Sequence, residues 1–137
     1  MKTLTILCAL ALAGCAHAPS GGKTQTFSLD EGQSASLSNG GKITFANVVN
    51  ESRCPTGVQC VWAGTATARF RLVPKEGADP FDVVAVLPGG IGKDDVANLL
   101  PVDTLGVSVT LAELLPYPVA NVKPTKHRAL VRVRPTN

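Results

Sequence analysis

The stretch V-W-A-G-T-A-T-A-R-F-R-L-V, residues 61–73, decides the fold. Within it Ala66, Ala68, Phe70 and Leu72 alternate with Thr65, Thr67, Arg69 and Arg71. A two-residue period puts successive side chains on opposite faces of a pleated strand, so the apolar set is expected to face a core and the arginines water. A helix would need apolar residues three and four apart, and no amphipathic helix of three turns is visible in the chain.

The same pattern recurs on both sides. Residues 24–29, 34–37 and 42–49 are short runs separated by Asp30-Glu31-Gly32 and Asn39-Gly40-Gly41, which predicts a three-strand meander with tight turns. Residues 81–87 form another run, between Asp79-Pro80 and a P-G-G-I-G loop at 88–92. Val107, Val109 and Leu111 alternate with Ser108 and Thr110, and Ala129, Val131 and Val133 alternate with Leu130, Arg132 and Arg134. Residues 94–105 carry capping and apolar residues but are cut by Pro101, which leaves one helical turn or a wandering edge open. About seven strands over residues 24–137 predict a single all-β domain, a two-sheet antiparallel β-sandwich of immunoglobulin-like size, with a small barrel as the second choice.

A chain of 137 residues accommodates one such domain and excludes a multidomain enzyme. Its 13 Lys and Arg against 10 Asp and Glu cannot supply the basic field that non-specific nucleic-acid binding draws on. One Trp, one Tyr and four Phe are too few for a base-stacking platform, so no nucleic-acid partner is expected.

Ahead of the domain, Lys2 precedes an apolar run over residues 4–13 that is too short to span about 30 Å of hydrocarbon, so residues 1–14 are expected to be a signal peptide. The run ends in Leu12-Ala13-Gly14-Cys15, which resembles the lipobox of bacterial lipoproteins. That resemblance implies cleavage before Cys15, acylation of its thiol, and attachment to a membrane through the N-terminal lipid with no need of a transmembrane helix. Ordinary secretory cleavage near Ala16 or Ala18 is the alternative, and both readings export the protein. Residues 15–23, with His17, Pro19, Ser20 and two glycines, are expected to form a flexible tether. Ala16 rather than Asp after the cysteine is similar to the signal for transfer to the outer membrane. The expected location is therefore the cell envelope, on the periplasmic face of the outer membrane.

The four cysteines divide accordingly. Cys8 goes with the leader and Cys15 carries lipid, while Cys54 and Cys60 enclose five residues, including Pro55 and Gly57, in an oxidising compartment. A local disulfide is the natural reading, and it constrains the unfolded chain by about 2 to 2.5 kcal/mol on the loop-entropy model. A redox pair would more usually have a two-residue spacing at a helix start. Trp62, beside the second cysteine, is expected to lay its indole over the sulfurs and close one end of the core, or else to stand exposed as a contact residue. Pro116-Tyr117-Pro118 is held extended, with the Tyr117 ring on the sandwich edge or in contact with a ligand. Candidate partner contacts are Arg53, Pro55, Thr56, Gly57, Val58, Gln59, Trp62 and Tyr117. Arg69, Arg71, Arg132 and Arg134 would make a cationic stripe if their strands are neighbours, able to meet anionic headgroups or envelope polysaccharide; the alternative is a solvated face offset by nearby carboxylates.

Residues 52–64, S-R-C-P-x-x-V-x-C-V-W-x-G, and residues 109–118, V-x-L-x-x-L-x-P-Y-P, together resemble a family of small bacterial lipoproteins and exported domains. The resemblance implies export and a β-rich fold and brings no activity with it. Catalytic groups are scarce: His127 is the only histidine of the expected domain, and neither G-x-S-x-G nor H-E-x-x-H occurs. Gly89-Gly90-Ile91-Gly92-Lys93 lacks the four-residue gap of a phosphate loop and has Asp94 where a hydroxyl should follow the lysine. One histidine and two oxidised cysteines make a poor metal site. No enzyme activity, cofactor or metal is therefore expected. The sequence favours a binding or structural module that presents the stapled loop to an envelope protein or polysaccharide, with an exported protease inhibitor using the Cys54–Cys60 loop as the alternative.

Overall fold

A computed structural model describes residues 22–136. The leader with Cys8, the lipidation residue Cys15 and the tether histidine His17 lie outside the described residues. Two four-stranded antiparallel sheets pack face to face. The first holds β1 (Gln25–Asp30), β8 (Arg128–Pro135), β7 (Val107–Leu115) and β6 (Pro101–Thr104) in that spatial order, and the second holds β2 (Ser34–Ser36), β3 (Lys42–Glu51), β4 (Thr65–Val73) and β5 (Phe81–Pro88).

The alternation decides which faces meet. Ala66, Ala68, Phe70 and Leu72 of β4 and Ala129, Val131 and Val133 of β8 are buried between the sheets, while Arg69 and Arg71 are exposed. Phe45 on β3 sits opposite Phe70 with ring centroids 5.4 Å apart. Burying side chains of this size contributes about 1.5 to 3 kcal/mol each, the main favourable term in a domain this small. On β7 the alternation breaks, because a bulge between Leu111 and Glu113 lets Leu111, Ala112 and Leu114 all be buried.

Two sequence expectations change and one open choice closes. The meander of residues 24–49 is not one: β1 pairs with β8, and only β2 and β3 are neighbours. The chain crosses between sheets at Glu31 to Gln33, where the Gly32 amide donates to the Phe45 carbonyl and the Phe45 amide donates to Gln33. Gly32 has φ +82°, which a side chain would resist, and this turn steers the chain over the core edge. β4 begins at Thr65 rather than Val61, because Gly64 at φ +70° interrupts the extended path. The undecided segment 94–105 contains both alternatives in series, a 3₁₀ turn at Val96–Asn98 and then the edge strand β6.

The strand directions define two ends. At one end Gly22, the first described residue, lies against Pro135 at the close of β8. At the other end are the close of β1 and of β7, the start of β8 and, through a bridge between Thr56 and Val119, the cysteine loop. The cysteine loop and the point where the tether enters therefore occupy opposite ends of the sandwich.

Candidate functional site at the stapled end

The loop joining β3 to β4 has a base of closely spaced backbone. The Ser52 amide donates to the Thr65 carbonyl at 2.8 Å, the Thr65 amide to Ser52 Oγ at 3.1 Å, and the Cys54 amide to the Ala63 carbonyl at 3.0 Å. A Cβ on Gly64 would lie 1.8 Å from the Ser52 carbonyl oxygen, and one on Gly89 would lie 2.0 Å from that of Ala63. Only glycine permits this approach at either position.

Above the base, Cys54 and Cys60 form a disulfide. The Thr56 amide donates to the Pro118 carbonyl at 2.9 Å, tying the closed loop to the β7–β8 connection. Arg53 fills the angle between the two segments. Its Nε donates to Glu51 Oε1 at 2.8 Å, its Nη2 donates to Glu51 Oε2, and its guanidinium carbon lies 4.6 Å from the Tyr117 ring centroid. The planar cation thus meets a carboxylate edge-on and an aromatic ring face-on, the two contacts that suit guanidinium best.

This rigid mount carries an exposed apolar tip. Val61 is 91% and Trp62 82% exposed, and Val58, Val119 and Val122 also face solvent. Two expectations for the loop are corrected here. The Trp62 indole does not close the core: it stands in solvent, while Ala66 and Leu87 of the adjoining strands are buried without it. Arg53 is 4% exposed and gives two of its five guanidinium donors to Glu51, so it supports the loop from within rather than offering a surface. Thr56, Gly57, Val58 and Gln59 are exposed, Pro55 is half-buried, and Tyr117 shows part of its ring beside Arg53. Val61, Val119 and Val122 were not among the expected contacts. Val61 was hidden in what read as a strand, and the two later valines lie between prolines where no periodicity singles them out.

A groove of about 450 Å³ runs beside the loop, between Val48, Val49 and Glu51 of β3 and Pro118, Val122 and Pro124 of the β7–β8 connection. His127 at its edge lies 3.2 Å from Glu31 through Nδ1. Next to it Arg128 donates to Asp30 through Nε at 2.6 Å and Nη2 at 3.2 Å. The hydrogen bonds from Arg128, more than the charges of Arg128 and Lys126, hold the Asp30 carboxyl below its ordinary value, and Asp30 in turn raises Arg128. No group of three or more His, Cys, Asp or Glu able to hold a metal occurs among the described residues.

The arginines do not form one stripe. Arg69 and Arg71 stand on β4 in the second sheet and Arg132 and Arg134 on β8 in the first, so the pairs face opposite sides of the sandwich. Arg71 lies 3.9 Å from Asp82 across to β5, whereas Arg132 donates to the Lys93 carbonyl at 2.8 Å.

Compared with known proteins, the chain matches no family model, no curated protein and no solved structure.

Proposed function

We propose that the protein is a lipid-anchored module of the cell envelope that binds an envelope partner through its stapled end. The observation that carries this reading is the pairing of a strongly exposed apolar tip, Val61 and Trp62, with a base fixed by hydrogen bonds, two obligatory glycines and a disulfide. A preorganised loop loses little conformational freedom on binding, and an exposed Trp on such a loop suits the centre of an interface. Attachment through Cys15, on the periplasmic face of the outer membrane, would hold the domain by the end opposite this tip and leave the tip free to reach a partner. No helix among the described residues is long and apolar enough to cross a membrane, so in this reading the anchor is the lipid.

A protease inhibitor would place its contact inside the disulfide ring, at residues 55–59. The greatest apolar exposure lies just outside the ring, at Val61 and Trp62, which favours the binding module. The test is affinity capture from native envelope with the wild-type chain and with V61S/W62S, alongside intact mass of the mature protein. The expected result is a chain that begins at acylated Cys15 and a fall of at least about tenfold in the captured partner for the variant, in line with loss of a hot-spot residue. Identical capture by both proteins would overturn the role of the tip, and an unmodified Cys15 would overturn the anchor.

A further inference from the structure

On the outer face of the first sheet, away from the stapled end, residues 93–99 lie across the strands and enclose a cavity of about 350 Å³. Its floor is built from outward-facing side chains of adjacent strands. Arg132 of β8 is in register with Thr110 of β7, and Arg134 with Ser108, while Thr24 approaches from just before β1. Its wall is apolar, made of Val96, Ala97, Leu99 and Pro101.

The charge in this cavity is uncompensated. Neither Arg132 nor Arg134 forms an ion pair with a carboxylate among the described residues, and no Asp or Glu lines the cavity. Asp103 is in register with Ser108 on the edge strand but is exposed and outside the lining. Arg132 spends one donor group on the Lys93 carbonyl, and its Nη1 is buried with no hydrogen-bond partner. A guanidinium nitrogen buried without an acceptor is costly, because the desolvation is not repaid by a hydrogen bond. Ser108, which is also buried, adds a hydroxyl beside it.

We propose that this cavity is a binding site for a phosphate ester, with Arg132 and Arg134 as the charge partners and Thr24, Ser108 and Thr110 as hydroxyl donors. A carboxylate would be satisfied by one guanidinium fork, leaving the second cation and the hydroxyls over. A tetrahedral phosphate presents several oxygens and up to two negative charges, which matches two cations and three hydroxyls. The apolar wall then accommodates the esterified group. That phosphate can come from a soluble monoester, with up to two charges, or from a lipid headgroup diester, with one; both present non-bridging oxygens to the same guanidinium and hydroxyl donors. The proposal does not depend on the lipid anchor.

The test uses the full chain carrying Cys15→Ser, so that no acyl chain can hold it to a vesicle. One arm titrates glycerol phosphate by calorimetry at fixed ionic strength, and the other measures cosedimentation with phosphatidylglycerol vesicles against phosphatidylcholine vesicles. Saturable binding in either arm, weakened at least tenfold by R132Q and by R134Q and unchanged by R69Q/R71Q on the opposite face, is the expected result. Binding in the first arm alone identifies a soluble ester as the source, and selective binding to phosphatidylglycerol identifies a headgroup. R132K, which keeps the charge but loses the fork, is expected to fold as the wild type and still bind at least fivefold more weakly. No saturable binding in either arm, or binding that R132Q, R132K and R134Q leave intact, would overturn the site.

Discussion

Arg53 is charged and buried, Trp62 is apolar and exposed, and both belong to the same loop. Their positions follow from what each can satisfy locally. Arg53 has a bidentate carboxylate and an aromatic face within reach, so the low exposure of its side chain is matched by hydrogen bonds. Trp62 lies two residues after the bridged Cys60 and just before the point where the Ala63 carbonyl accepts from the Cys54 amide, and its indole stands in solvent. Replacing Arg53 by Ala removes the charge-assisted hydrogen bonds and the stacking on Tyr117 together. The expected loss is about 2 to 3 kcal/mol of unfolding free energy, measured by urea denaturation. R53K, with a point charge in place of the planar fork, should recover less than half of it. A change under about 0.5 kcal/mol for R53A would mean that the Glu51 and Tyr117 contacts contribute little to the fold.

At the scale of elements, what was legible was whatever depends on one strand alone. The alternation in β4 and β8 named the core residues of both, and the cysteine spacing named the bridge. What was not legible depends on which strand lies beside which. Residues 24–49 read as a meander because tight turns usually join neighbours, yet β1 obtains its partner from β8, nearly the whole chain away. The cationic stripe depended on β4 and β8 being neighbours, and they share a pattern but not a sheet. The start of β4 was misplaced because Val61 and Trp62 are apolar, and sequence does not reveal that the Gly64 backbone is pressed against Ser52. The two loop glycines make that crowding measurable. Gly57 and Gly64 both have positive φ, but a Cβ on Gly57 meets nothing within 4 Å, whereas one on Gly64 meets the Ser52 carbonyl. G57A should therefore cost only the left-handed strain of about 1 to 2 kcal/mol. G64A must also open the loop base, and a loss of about 4 kcal/mol or more is expected in the same denaturation assay. Equal losses for the two variants would show that the backbone contact at Ser52 relaxes freely.

Over the whole molecule, the chain passes up and down through the second sheet from β2 to β5, returns through β6, β7 and β8, and closes by pairing its first strand with its last. Asp30 and Arg128 are direct partners in that ladder, and their side chains bond across it. The ion pair is solvent-exposed, so its contribution is modest and weakened by salt. Its pH dependence nevertheless has a definite sign. Arg128 depresses the Asp30 carboxyl in the folded state, so the stabilisation is fully present above the unfolded aspartate value of about 3.9 and is lost as pH falls through the lower folded value. D30N lacks this contribution at every pH. Its melting temperature should lie below that of the wild type at neutral pH, and the gap should narrow as the solution is taken below the ordinary aspartate range. High salt at neutral pH should narrow it too. A gap that stays constant down to strong acid would mean that Asp30 holds the β1–β8 edge through hydrogen bonds an amide cannot replace, and not through its charge.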